Sequence, residues 1–362
     1  MTTTVVLDAG SGWVRAGLAE EDVPGVVFPS VVGRAGKAAA GSEVLVGDQA
    51  WARRGELTLS YPVRRGRVAD WNDTVRLWRH AFAQLAVDPA DCQVLLIDTP
   101  LHPRESREKT VRLLFDDLGV KGCFLDNSAV SALRASDRTT GVVVEVGEGV
   151  THVVPVYEGY AVNHGVQRSE FAGRDVLDHL AGLLSQDGIA LDTSTADGLE
   201  TARTIMETLC YVARDPQSEA GKDTTEEFTL PDGTTVKLNT ARYRAPESLF
   251  EPSPAGNTAP GLHELLHTSI QNTDIDVRKD LCQNIVLSGG TTKLPGLAER
   301  LRNEIQNLTT GVRVKIHAPY ERASSAWISG SILATLDSSQ HMWITREEYQ
   351  QSGPEIVHSK CF

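Results

Sequence analysis

The sequence predicts an α/β fold made of two related halves. Three observations point to it. Short β-branched runs alternate with segments of helical periodicity, the pattern of parallel-sheet architecture. A strand followed by an acid and an x-Gly-x-Gly turn occurs twice, at Asp8 and at Glu145, 137 residues apart (145 − 8). At 362 residues the chain is longer than one hydrophobic core ordinarily serves.

The elements follow in chain order. Thr4-Val5-Val6-Leu7-Asp8 reads as the first strand, the glycines as its turn, and Val14-Arg15-Ala16-Gly17-Leu18 as the return strand. Gly33 to Ser42, rich in Ala and Gly, reads as a flexible stretch. Between Thr74 and Leu85, Val75, Trp78, Phe82 and Leu85 fall on one stripe and predict a helix. Gln93 to Asp98 reads as a buried parallel strand ended by Pro100, with Arg104 to Leu118 as its crossover helix. Val142 to Glu145 and Thr151 to Val156 then repeat the opening hairpin. Pro216 to Glu227 and Pro252 to Gly261 read as surface insertions. Ile285-Val286-Leu287 is a third short strand running into Ser288-Gly289-Gly290-Thr291-Thr292, before a helix that starts near Pro295.

Composition narrows the function classes. Hydrophobic residues at 41% and charged residues at 23% are ordinary for a globular protein. A net charge of −13 repels nucleic acid and anionic lipid unless a basic patch overrides it, and no such patch is read, Arg53-Arg54 and Arg64-Arg65 being only short doublets, so no nucleic-acid partner is expected. No segment has the length and apolarity of a membrane span. Met1-Thr2-Thr3-Thr4 runs into a strand, which reads as no signal peptide, and Thr2 excludes the glycine of a myristoylation signal. Cys92, Cys123, Cys210, Cys282 and Cys361 are odd in number and scattered, which suits a reducing compartment with neither disulfide nor metal cluster.

The two glycine turns carry the chemistry. At Gly10-Ser11-Gly12 the absence of Cβ atoms lets backbone N–H groups converge into an anion nest suited to phosphate. Asp8 repels a phosphate directly but suits a hydrated divalent cation that bridges phosphate oxygens. Glu145 with Gly147-Glu148-Gly149 repeats this set, so two turns facing one another would clamp a polyphosphate. Ser288-Gly289-Gly290-Thr291, at a strand end before a helix, suits an anion or a flat base or ribose lying on the backbone. His152, just past the second turn, is either structural or an orienter of water near the terminal phosphate. His263-Glu264-Leu265-Leu266-His267 matches H-E-x-x-H, but it suggests no third ligand and lies beyond a loop insertion, so it reads as a short helix rather than a zinc site.

Together these residues resemble the actin family over nearly the whole chain. The likeness rests on Asp8-Ala9-Gly10-Ser11-Gly12, Phe28-Pro29-Ser30-Val31-Val32-Gly33-Arg34, Arg107-Glu108-Lys109 and Gly149-Val150-Thr151-His152. It continues through Tyr157-Glu158-Gly159-Tyr160-Ala161, Ala172-Gly173-Arg174-Asp175, Leu287 to Thr292, Trp343-Ile344, Ile356-Val357-His358 and Lys360-Cys361-Phe362. The resemblance implies an actin-like ATPase fold: two duplicated α/β lobes, four subdomains, around a nucleotide cleft. Residues 1–134 and 325–362 would form one lobe, with 33–62 as its small subdomain. Residues 135–324 would form the other, with 174–260 as its small subdomain.

It also implies ATP or ADP with Mg2+ or Ca2+, and assembly of the chain with itself into filaments coupled to hydrolysis. Phosphate contacts carry over onto Gly10, Ser11, Gly12, Trp13, Arg15, Gly147, Glu148, Gly149 and Val150. Adenine and ribose contacts carry over onto Gly173, Arg203, Glu207, Gly289, Gly290, Thr291 and Lys293. Asp8 and Glu145 would hold the cation through water, and Ser128, Glu145, His152 and Asp8 are the candidate catalytic residues.

The chain departs from the family at several of these positions. Ser128 stands where the family has its water-orienting glutamine, Glu145 where it has aspartate and Arg15 where it has a lysine on the phosphates. Hydrolysis is therefore expected to be intact but altered in rate. The loop between Arg34 and Gly47 is short and carries Ala38-Ala39-Ala40, and Pro254 to Thr258 lacks a bulky apolar plug. The expectation is a filament of non-standard lateral packing, or weak assembly. Actin-regulating partners would dock near Arg134, Asp137, Tyr160 and Leu333, where the new charges disfavour an inserted apolar helix. A cytoplasmic, cytoskeletal location follows from the resemblance. Two other readings compete. One is a nucleotide-binding actin-related protein that stays monomeric or works within a complex. The other is a sugar-kinase-like enzyme, for which His152 and His102 are the available bases.

Overall fold

Strand pairing organises the computed structural model, which describes residues 2–36 and 44–361. The chain divides into two units: Met1–Thr139, Val156–Asn163 and Ser324–Phe362 form one, Thr140–Pro155 and His164–Ala323 the other. The Ala38-Ala39-Ala40 segment lies outside the described residues.

In the first unit Thr3–Ala9 lies mid-sheet. It pairs antiparallel with Trp13–Leu18 and parallel with Cys92–Asp98, with Leu7 opposite Leu96. Val26–Pro29 extends one side, and Gly122–Asn127 pairs parallel with Cys92–Asp98 on the other. Val5, Val6 and Leu7 are fully buried because both faces of a parallel sheet are covered. The helix Ser325–Thr335 supplies part of that cover, and its Trp327 Nε1 donates to the Val6 carbonyl at 3.0 Å. Trp71–Gln84 supplies more; it is capped by Asp70, whose side chain accepts from the Asp73 N–H.

The crossover helix is regular only over Arg104–Arg112. It then widens into a π turn, Leu113–Asp117, in which the Leu118 N–H reaches the Leu113 carbonyl at 3.1 Å and Leu114 and Phe115 are both buried. A small sheet places Val32–Ala35 between Val44–Val46 and Leu57–Ser60. Arg34 ties it to the helix Trp71–Gln84 with a bidentate bond to Asp73 at 2.9 and 2.5 Å.

The second unit repeats this plan. Gly141–Val146 neighbours Thr151–Tyr157 and pairs parallel with Ile285–Ser288, with Val144 opposite Leu287. Ile316–His317 pairs parallel on the far side, and Gln167–Ser169 pairs antiparallel with Thr151–Tyr157. Leu7 and Val144 occupy the same place in the two sheets, each opposite a leucine of the parallel neighbour. The duplication read from sequence is thus a duplication of sheet register. The stretch read as a polar insertion, Pro216 to Glu227, runs at its end into a hairpin in which Glu226–Thr229 pairs antiparallel with Thr235–Leu238.

Candidate functional site

In the first unit the turn after Thr3–Ala9 is closed by the Gly10 N–H donating to the Trp13 carbonyl at 3.0 Å. Ser11 Oγ accepts from the Gly66 N–H at 3.0 Å, and the Gly12 carbonyl accepts from the Ser30 N–H at 2.9 Å. Asp8 and Arg15 face each other across the hairpin, Arg15 Nη1 lying 3.7 Å from Asp8 Oδ2. Burial raises the Asp8 carboxyl above its ordinary range, and the Arg15 guanidinium offsets this in part. A carboxyl so placed gains by facing a cation.

Ser128 is buried at the first position of the helix Ser128–Arg134, directly after the strand Gly122–Asn127. Asn127 caps that helix, accepting from the Ala129 and Val130 N–H groups. Asp8, the Gly10 turn and Ser128 therefore share the carboxyl edge of the three parallel strands of one mixed sheet, where ligands bind in such folds.

In the second unit the Gly147 N–H donates to the Val150 carbonyl at 3.1 Å, the same closure at the equivalent position. The Gly147 carbonyl accepts twice, from the Gly173 N–H at 3.1 Å and from Thr291 Oγ1 at 2.8 Å. One peptide thereby joins the turn, the first residue of the helix Gly173–Gln186 and the short helical turn Gly290–Lys293. A Cβ on Gly173 would overlap Thr291 Oγ1 and lie 3.1 Å from the Gly147 carbonyl oxygen, so glycine is required there.

Glu148 pairs through Oε1 with Arg203 at 3.3 Å, while its buried Oε2 has no partner among the described residues. An acceptor of this kind suits hydroxyl donors, and only the Glu148 backbone N–H suits an anion. Burial raises the Glu207 carboxyl, Arg203 and Lys293 lower it, and Glu200 raises it, which places Glu207 in the same cluster. Lys293 Nζ lies 5.4 Å from the ring centroid of Tyr320. A Cβ on Gly290 would meet nothing within 4 Å, so that face is open to a flat ligand. Glu145, half-buried, pairs in register with Ser288, and Gly149 is buried within the turn.

His152 is buried opposite Arg168, and its Nε2 has no hydrogen-bond partner among the described residues. Burial first, and the Arg168 charge second, push the imidazole down to about 3, so it is neutral in the fold. An unfolded histidine takes up a proton near pH 6.5. The stabilisation from keeping His152 neutral is therefore full above that pH and is lost as pH falls toward the folded value. The denaturation midpoint of the protein should drop between pH 7 and pH 4.5 more steeply than that of His152→Gln; equal slopes would remove this assignment.

Other candidates resolve differently. Glu264 Oε2 accepts from the Gly261 N–H at 2.8 Å and so closes the N-terminus of the helix Leu262–Gln271. His263 stacks on Phe250 at 5.9 Å, and among the described residues no cluster of metal-binding side chains occurs. The H-E-x-x-H match is thus a capped helix. Among the expected docking residues, Tyr160 is 68% exposed, Arg134 bonds Asp126 at 3.1 Å and Ser329 at 3.3 Å, and Asp137 takes φ 55°. Leu333 is buried instead, because its helix turns it inward; Ile332 and Leu336 are the exposed apolar residues there.

The Ser11–Gly66 bond and Tyr320 beside Lys293 escaped sequence reasoning as parts of a site. Only the two glycines flanking Ser11 and the Gly66 turn hinted at the first. Among the described residues no helix is long and apolar enough to cross a membrane. Compared with models of known families, the whole chain, residues 1–362, matches the one described as Actin.

Proposed function

The chain belongs to the actin family, whose α/β fold is an ATPase fold that binds ATP or ADP with a divalent metal, and from that premise we propose that it is an ATP-driven filament protein. The observation that supports this best is the equivalence of the two turns: Gly10 to Trp13 and Gly147 to Val150 close with the same bond, each after an acid. The donor sets fit the nucleotide. Backbone N–H groups of Ser11, Gly12, Trp13, Glu148, Gly149 and Val150 would take phosphate oxygens, with Arg15 as the charged partner. Glu148 Oε2, Glu207 and Arg203 would take ribose hydroxyls and base edge, and the base would lie on Gly290 and Thr291 beside Lys293. Asp8 and Glu145 would hold Mg2+ or Ca2+ through water; when bound, the ion neutralises charge on the phosphates.

Ser128 would orient the attacking water through a second water, being too short to touch it directly, and the neutral His152 would order that chain. Each unit would comprise a large and a small subdomain, with 33–62 and 174–260 as the small ones. The protein would self-associate in the cytoplasm as part of a cytoskeleton. Light scattering with parallel phosphate release, after addition of ATP, magnesium and salt, tests the reading. Scattering should rise with a critical concentration while phosphate is released, and Ser128→Ala should slow release several-fold. No rise across micromolar concentrations would instead favour an actin-related protein that is monomeric or acts within a complex. Unchanged release in Ser128→Ala would remove that role for Ser128.

A further inference from the structure

We propose that Lys293, steadied by the ring of Tyr320, reads acceptor atoms on the edge of the bound base, so that the site admits the 6-keto purines guanine and hypoxanthine alongside adenine; this rests on the nucleotide reading above. All the residues concerned belong to the second unit. Lys293 ends the short helical turn Gly290–Lys293, and Gly290, at the start of that turn, is the residue with the open face. Thr291, between them, ties the turn to the glycine hairpin by donating to the Gly147 carbonyl at 2.8 Å. The lysine therefore stands at the rim of the platform on which the base would lie.

A second loop brings Tyr320 to the same rim. The Gly289 N–H donates to the Arg322 carbonyl at 2.9 Å, and Arg322 Nε and Nη2 donate to the Thr292 carbonyl, each at 3.3 Å. Arg322 Nη1 donates to the Pro319 carbonyl at 2.7 Å, so the turn from Pro319 to Arg322 is clipped against the one from Gly289 to Lys293. Tyr320, inside the clipped turn, is 81% exposed, and its ring centroid lies 5.4 Å from Lys293 Nζ. An ammonium within about 6 Å of an aromatic face is attracted to it. A ring this exposed contributes little to packing; its contact here is with the ammonium.

The surrounding charges leave this ammonium available. Arg203 is engaged, with Nη1 donating to Glu200 at 2.9 Å and Nη2 to Glu148 at 3.3 Å. Lys293 forms no hydrogen bond or ion pair among the described residues, although its charge is felt at Glu207, whose carboxyl burial raises, Arg203 lowers, Glu200 raises and Lys293 lowers, in that order. An ammonium has three donors and no acceptor. Adenine offers it N7 alone on the edge that carries the 6-amino group, because that group is itself a donor, whereas a 6-keto purine offers N7 and O6 side by side. A 6-keto base therefore gains a contact at Lys293 that adenine lacks.

The test is displacement of a fluorescent ATP analogue from the full chain, with magnesium, by ATP, GTP and ITP, a readout independent of hydrolysis. GTP and ITP should compete within about 3-fold of ATP. Lys293→Met should weaken GTP and ITP on the order of 10-fold more than ATP, the worth of one hydrogen bond from a charged donor. Tyr320→Ala should move the same ratio the same way by about 3-fold, and Tyr320→Phe should keep the wild-type ratio, because the ring face and not the hydroxyl holds the ammonium. An unchanged ratio in Lys293→Met, or exclusion of GTP and ITP by a wild-type chain that binds ATP, would overturn this inference alone. The wild-type ratio in Tyr320→Ala would overturn the positioning role of Tyr320. A wild-type chain that binds none of the three would overturn the nucleotide reading and this inference with it.

Discussion

Gly289→Ala is expected to abolish nucleotide retention while its neighbour Gly290→Ala leaves the fold intact. Gly289 takes φ 86°, and a Cβ there would overlap the Val146 carbonyl oxygen and lie 2.7 Å from the carbonyl carbon. Those atoms belong to the last residue of the strand Gly141–Val146 and cannot rotate away as a side-chain tip does. The left-handed conformation costs alanine about 1–2 kcal/mol and the overlap about 1–3 more. The chain's cheapest relief is to move the Gly290–Lys293 turn, which breaks the bond from Thr291 Oγ1 to the Gly147 carbonyl. Helix start, glycine turn and base platform then separate together. Affinity for an ATP analogue should fall by roughly 100-fold or more, since each 1.4 kcal/mol is a factor of ten. Gly290 has open space where Cβ would stand and no positive φ, so its alanine variant tests access alone. Binding by Gly289→Ala within about 3-fold of wild type would show that the junction does not shape the site.

Arg300→Met should cost about 3–5 kcal/mol of stability, and the double variant Arg300→Met with Glu247→Leu should recover most of it. Arg300 is buried on the helix Leu297–Leu308, with its guanidinium in bidentate contact with Glu247 at 2.8 and 2.9 Å. It also donates to Glu304 at 2.6 Å and to the Ala213 carbonyl at 3.1 Å, and lies 4.7 Å from the Phe250 ring centroid. Burial raises the Glu247 carboxyl while Arg300 lowers it. Removing the arginine leaves that carboxyl desolvated without its partner, which is the expensive state. Removing both ends leaves two apolar side chains against Phe250. Melting temperature should fall by about 10 °C in the single variant, at roughly 2–4 °C per kcal/mol for a unit of this size. A double variant no more stable than the single one would mean that the network, rather than the orphaned charge, sets the cost.

The elements that sequence reading located are those whose signal is local. Thr4 to Asp8 became Thr3–Ala9, and Ile285 to Leu287 became Ile285–Ser288. β-branched runs bounded by glycine turns specify strands without help from distant residues. Gly122–Asn127 passed unread because Gly, Cys and Asp dilute its apolar run, although it is buried from Gly122 to Asp126 and carries Ser128 at its end. The H-E-x-x-H match shows the converse. A helical spacing says which residues share a face but not what that face meets, and here Glu264 meets the Gly261 N–H.

By itself the sequence determined the doubled strand–acid–glycine plan, the mixed α/β class and the family resemblance, because turn chemistry and side-chain periodicity act over a few residues. The tertiary structure alone decided which groups meet: Thr291 with Gly147, 144 positions apart, Arg107 with Cys361, 254 apart, and Leu333 turned inward. Such contacts depend on sheet order and helix rotation, which are set when distant apolar surfaces bury one another. No short window of residues encodes them.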